Sequence, residues 1–249
     1  MKMALQPSFL TLPIAHRGLH SREIACPENS LFAAERAIEA GYAIELDLQL
    51  SRDGHPIVFH DYKLDRMTPK KGYVRNCNAA ELQDLQLNES DEHIPTLDCL
   101  LKLVNGRVPL LIELKDQSQR YCPTNGVLEN ATAEVLKTYK GAVAVMSFSP
   151  HCIAHMSQYA PLVSRGLTTG GIGEGENDFS ISDPFRQYDA LGASFISHDV
   201  FDLTSNMICE FKAKGDPLLC WTVQSEKQEK SARAIADNVT FECYRPKFP

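Results

Sequence analysis

The chain lacks any apolar run long enough to cross a bilayer, which excludes a membrane-spanning helix from the sequence reading. Its eight cysteines, at 26, 77, 99, 122, 152, 209, 220 and 243, never fall in Cys-x-x-Cys spacing. That removes the short-spaced zinc and dithiol redox motifs. Several lie in apolar stretches such as residues 218–221, so buried thiols in a reducing compartment are expected. There is one tryptophan, and there is no internal repeat, heptad or low-complexity segment. Positive charge is in deficit, with 25 Lys and Arg against 32 Asp and Glu, a net charge of −7. This balance argues against wholesale binding to nucleic acid and against stable association with an anionic membrane. It leaves room for a local positive pocket that takes a small anion. The opening residues are short and broken by Pro7, unlike a signal peptide. A soluble cytoplasmic protein with a small-molecule substrate is expected, and its oligomeric state stays open.

What is present suits one large α/β domain over residues 1–249, with enough apolar side chains to bury a core unaided. Residues 44–50 read Ile-Glu-Leu-Asp-Leu-Gln-Leu, a strict alternation with the period of a strand. Glu45, Asp47 and Gln49 therefore share one face, with the two carboxylates roughly 6 to 7 Å apart. Such a face is either a solvated edge or a pair of charges waiting for a cation or base.

Before this strand, residues 12–15 form an apolar run that breaks at His16-Arg17-Gly18. Pro27-Glu28-Asn29-Ser30 then opens a helix, capped by Asn29 or Ser30 and ended by Gly41. Strand, helix and acidic strand make one βαβ unit. After the acidic strand, Asp53-Gly54 signals a hairpin turn, and the return run 56–59 ends in His60-Asp61. A turn centred on Asp53-Gly54 sets Asp47 opposite His60. Residues 61–95 are polar and turn-rich, and read as a small insertion over the site. A helix over 97–104 leads to a second apolar strand, 108–114, with Glu113 and Lys115 on one face at its end. An ordinary strand-end ion pair is the plain alternative for those two residues.

Helices and strands alternate from there to a last strand near 239–243. The glycines at 170, 171, 173 and 175 follow a strand, but without the Walker spacing. Flexibility suits them better than a phosphate cradle. The count favours an irregular (β/α)8 TIM barrel with a small insertion after the third strand, and a doubly wound sheet comes second. In a barrel, His16, Arg17, Glu45, Asp47, His60, Glu113 and Lys115 all stand at C-terminal strand ends. Three carboxylates are hard ligands for Mg²⁺ or Ca²⁺. Arg17 and Lys115 complement an anion, and two histidines suit paired acid–base work. Phosphoester cleavage follows from that set.

His16-Arg17-Gly18, Pro27-Glu28-Asn29-Ser30, Glu45-Leu46-Asp47, Asp53-Gly54 with His60-Asp61, Glu113-Leu114-Lys115 and Trp221-Thr222-Val223 stand in one order. In that order and context the chain resembles the glycerophosphodiester phosphodiesterases over nearly its whole length. The resemblance implies a phospholipase-C-like barrel that hydrolyses glycerophosphodiesters to glycerol 3-phosphate and an alcohol. It implies a divalent metal on Glu45, Asp47 and Glu113, acid–base catalysis by His16 and His60, and phosphate binding by Arg17 and Lys115. The glycerol 2-hydroxyl then attacks phosphorus, and water opens the cyclic phosphate. Trp221 lines the pocket in that family; packing in the core is its other reading. The chain departs from the pattern at Ser30 and Ser51, where the family usually has Thr. It departs again at Gln224, usually Asn, and at Phe241-Glu242-Cys243, usually Thr-Asp followed by Pro. The last change bears on barrel closure and on substrate preference. A lysophospholipase D-like phosphodiesterase, a catalytically silent phosphate-ligand-binding barrel and a glycosidase are the alternatives. The first wants an apolar rim, the second a missing catalytic group, and the third fits two histidines and Arg17 poorly.

Overall fold

A computed structural model describes residues 2–118, 125–170 and 184–248. Eight parallel strands close into a ring: β1 (Ile14–Ala15), β2 (Ala43–Leu50), β4 (Leu110–Leu114), β5 (Val143–Ser147), β6 (Ser164–Thr169), β7 (Phe195–Asp199), β8 (Leu218–Val223) and β9 (Asn238–Phe241). The short β1 completes the ring by pairing Ile14 with Ala43 of β2 on one side and with Thr240 of β9 on the other. The last strand thus closes the barrel. β3 (Pro56–Val58) lies outside the ring, antiparallel to β2.

Most helices begin and end where the side-chain chemistry asks. α2 (Leu31–Ala40) starts on Ser30, whose hydroxyl accepts from Ala33 N at 3.0 Å, and stops at the left-handed Gly41. α4 (Leu97–Val104) is capped by Thr96, and α6 (Pro150–Tyr159) carries Pro150 in its first turn. Their apolar faces pack on the outward side chains of the strands: Ile44, Leu46 and Leu48 meet Ala34, Ala37, Leu97 and Leu101.

The odd-numbered side chains of β2 and β4 point into the barrel. At the N-terminal end that interior is apolar, with Ile14, Ala43, Leu111, Ala144, Phe195 and Leu219 packed under Leu5 and Phe9 of the leading segment. Asn238 Nδ2 donates to the carbonyls of Phe9 and Leu12 and fastens this plug. At the C-terminal end the same interior face turns charged, with Glu45 and Asp47 on β2 and Glu113 on β4. All residues of β2 but the last are buried, so the alternation separates outer from inner layer, not protein from water.

Residues between β3 and α4 build a lobe of their own, with a single 3-10 turn at Val74–Asn76, α3 (Ala79–Gln83) and a small core of Ile57, Phe59, Leu64, Val74, Leu82, Leu87 and Ile94. Cys26, Cys77, Cys152 and Cys220 are buried, Cys99 is half-buried, and Cys209 and Cys243 are exposed; all seven are free. Among the described residues no helix is long and apolar enough to cross a membrane. Gly171, Gly173 and Gly175 lie outside the described residues.

Candidate active site

At the C-terminal mouth, β1 delivers His16 and then turns sharply. Arg17 and Gly18 both take left-handed backbone, φ 54° and 78°. A Cβ at Gly18 would lie 2.9 Å from Ala33 of α2, so glycine is needed for this close approach as well as for the turn. The turn aims the Arg17 amide at Glu45 Oε2, 3.0 Å away, and brings His16 Nε2 to 3.9 Å from the same oxygen.

Glu45, Asp47 and Glu113 converge, with one oxygen from each within 4.8 Å of the others, and all three are buried. Parallel pairing of β2 with β4 puts Asp47 level with Glu113. Asn29 clamps Asp47 in place: Nδ2 donates to Oδ2 at 2.8 Å, and the Asp47 amide donates back to Oδ1 at 3.3 Å. Lys115 Nζ sits 2.8 Å from Asp47 Oδ1 and also donates to Glu113 Oε1. Arg17 Nε lies 3.4 Å from Asp47 Oδ2, while its Nη1 is 2.7 Å from Glu28 Oε1.

The electrostatics follow from this sharing. Burial raises the cost of every charge here, yet Lys115, His60 and Arg17 hold Asp47 well below the usual carboxylate range. Glu45 goes the other way: burial, Asp47 and Glu113 push it well above that range. Three hard oxygens, one of them without a cationic side chain in hydrogen-bond contact among the described residues, fit a divalent ion. Burial is outweighed at Lys115, whose ammonium Asp47 and Glu113 hold far above its ordinary value.

His60 arrives by a different route from the one expected. The β2–β3 register pairs Leu48 with Val58, so Asp47 faces Phe59, not His60, and the Phe59 amide donates to the Asp47 carbonyl at 3.0 Å. The loop 51–55 closes through Ser51 N on His55 O, half a residue short of a turn centred on Asp53-Gly54, which moves the residue opposite Asp47 back by one. Past Val58 the chain leaves the strand, and Gln49 Nε2 takes the His60 carbonyl at 2.9 Å. The His60 ring then lies beside Asp47 by this bend and not by register.

The two imidazoles are held alike. His16 Nδ1 is 2.6 Å from Glu242 Oε2, and His60 Nδ1 is 2.6 Å from Asp61 Oδ1. A carboxylate only accepts, so this contact favours a proton on Nδ1 of each neutral ring, and neither Nε2 has a hydrogen bond among the described residues. Burial lowers His16 despite Glu242. Asp61 is joined in turn to Arg66 of the lobe, which also forks onto Glu28 at 2.7 and 2.9 Å.

The seven candidate side chains therefore meet at one mouth. Trp221 lies in the C-terminal half of β8, half-buried, with its indole N–H on the Ser197 carbonyl and its ring edge-on to Phe148 at 5.5 Å. Sequence reasoning missed Asn29 as a clamp, and it gave no role to Glu28, Asp61, Arg66 or Glu242. Asp61, next in the chain to His60, was open to discovery; Glu242, 226 positions from His16, was visible only as a departure from a pattern.

Comparison with known proteins covers nearly the whole chain. The model of the glycerophosphoryl diester phosphodiesterase family matches residues 16–240. A glycerophosphodiester phosphodiesterase of Caldanaerobacter subterraneus is 29% identical over 238 residues, 92% of this chain and 93% of its own. Among solved structures, an Oleispira antarctica phosphodiesterase in complex with the product sn-glycerol-3-phosphate is 25% identical, with a TM-score of 0.77, covering 92% of this chain and 93% of that one. The fold is also shared with a Silicibacter pomeroyi protein described as a glycerophosphoryl diester phosphodiesterase, 20% identical, TM-score 0.79, covering 95% and 93%.

Proposed function

The chain belongs to the glycerophosphoryl diester phosphodiesterase family, and from that membership we propose that it hydrolyses glycerophosphodiesters to glycerol 3-phosphate and an alcohol, using a divalent metal and two histidines. One observation carries the reading: two imidazoles, each with Nδ1 tied to a carboxylate, flank a cluster of three buried carboxylates.

Glu45, Asp47 and Glu113 would hold Mg²⁺ or Ca²⁺. Bound there, the ion supplies positive charge against the phosphoryl oxygens. Arg17 and Lys115 add fixed cations beside it, Arg17 braced by Glu28 and Lys115 by Asp47. His16 and His60 act as the acid–base pair through Nε2. One ring takes the proton of the glycerol 2-hydroxyl as its oxygen attacks phosphorus. The other gives a proton to the departing alcohol. The two then exchange roles as water opens the cyclic phosphate, so protons balance over the cycle. Trp221 and the lobe over residues 61–95 shape the walls of the pocket; Tyr62 of the lobe comes within electrostatic reach of Lys115 and Glu113.

The test is to incubate the protein with glycerophosphocholine or glycerophosphoethanolamine plus Mg²⁺ or Ca²⁺ and to assay glycerol 3-phosphate. Release is expected with metal, loss on chelation, and recovery on adding metal back. Cleavage confined to lysophospholipids would support the lysophospholipase D-like reading. No turnover of either class would leave a phosphate-binding barrel, and turnover indifferent to chelator would remove the metal.

A further inference from the structure

Glu242 follows β9 directly, where its amide donates to the Val223 carbonyl at 3.0 Å. The neighbouring Phe241 carbonyl accepts the His16 amide at 2.9 Å, so backbone pairing already sets Glu242 beside His16. Both carboxylate oxygens are engaged. Oε2 accepts from His16 Nδ1 at 2.6 Å, with His20 Nε2 3.7 Å away, and Oε1 accepts from Gln224 Nε2 at 2.7 Å. Gln224 follows β8, and its own amide donates to Gln228 Oε1 of α9 (Glu226–Ala232) at 2.8 Å. The carboxylate therefore cannot swing without breaking a bond on each side. The side chains of residues 224 and 242 thus meet across the ends of β8 and β9.

We propose that Glu242, braced by Gln224, is a positioning residue for His16: it fixes the Nδ1–H tautomer and leaves Nε2 to exchange protons with the substrate. The proposal rests on the phosphodiesterase reading for its kinetic consequence alone. The tautomer is a property of the resting protein. A buried imidazole without this acceptor loses its preferred tautomer and orientation, which costs turnover more than binding.

Two measurements decide it. Long-range ¹H–¹⁵N spectra at pH 8, with His16 identified by comparison with His16→Ala, should show the proton on Nδ1, and Glu242→Ala should lose that signature. In steady state, Glu242→Ala and Glu242→Gln should each lower kcat on the order of 100-fold, with KM within about threefold and metal-induced stabilisation unchanged. The double variant Glu242→Ala with Gln224→Ala should be no slower than Glu242→Ala alone, because the brace has nothing left to hold. A wild-type His16 protonated on Nε2 overturns the proposal without any variant being made. So does a kcat within about threefold of wild type in both Glu242 variants, and additive losses in the double variant overturn the part given to Gln224. A wild-type protein that releases no glycerol 3-phosphate sinks the phosphodiesterase reading and leaves the spectroscopic result to decide the tautomer.

Discussion

Glu45 meets no cationic side chain by a hydrogen bond among the described residues; its side chain accepts from the Arg17 amide. Its carboxyl is raised by burial, then by Asp47 and Glu113. A carboxyl that binds its proton more tightly in the fold than in the unfolded chain adds stability below its unfolded value and loses it as pH rises. Metal-free protein should therefore lose this contribution as pH climbs from about 4.5 towards neutrality, a loss that Glu45→Gln should not show. Glu45→Gln removes the cost. At pH 7.5 in chelator the variant should melt about 2–6 °C higher than wild type, yet gain nothing from Mg²⁺ or Ca²⁺. A lower melting temperature in chelator would show that Glu45 is compensated after all. The histidines obey a different logic, since each is tied to a carboxylate and neither is needed for packing. His16→Ala and His60→Ala should each lower kcat by at least about 100-fold with a circular-dichroism melt close to wild type. Substantial activity in either would remove the acid–base pair.

At the scale of elements, the β1–α2 connection is where backbone geometry and chemistry are least separable. The left-handed Gly18 presses against Ala33 with no room for a Cβ. Gly18→Ala should cost about 2 kcal/mol or more and misplace the Arg17 amide, and denaturant midpoints and kcat should fall together. Loss of stability with kcat intact would separate the turn from the site. The lobe makes the opposite case. Arg66 is about two-fifths exposed, yet it ties Asp61, the partner of His60, to Glu28, the partner of Arg17. Arg66→Ala should cost about 1 kcal/mol or less of stability but tenfold or more in kcat/KM. These elements also mark what the sequence makes legible. The strand and helix order was readable because apolar periods and caps are local, as at Ser30, Thr96 and Pro150. The β2–β3 register was not, because a five-residue loop closed by Ser51 and His55 moves the turn by half a residue. Glu242 was not readable as a partner of His16, because only closure of the ring by β9 against β1 brings positions 16 and 242 together.

Across the whole molecule, one barrel interior changes character from end to end. Leu5, Phe9, Phe195 and Leu219 fill the N-terminal half, and Gly166 leaves space for the Phe195 ring, which a Cβ would meet at 2.4 Å. Water is thereby kept from one side of the carboxylates, and any ion they took up would enter from the mouth. That asymmetry explains why β2 reads as a half-wet strand while Glu45 and Asp47 are each only 1% exposed: the inner layer imitates solvent in its sequence and not in its surroundings. A buried cluster that repels itself when empty and is neutralised when filled couples metal binding to the stability of the barrel. Ligand present at about 100 times its dissociation constant adds about 2.7 kcal/mol, which for a chain of this size is about 5–10 °C in melting temperature. Mg²⁺ or Ca²⁺ should raise the melt by that amount at pH 7.5, and chelator should reverse it. Glu113→Gln, which removes the carboxylate charge that β4 places level with Asp47, should abolish most of the shift. A melting temperature indifferent to both cations in the wild-type protein would mean that Lys115 alone neutralises Asp47 and Glu113, and that the mouth of this barrel works without an ion.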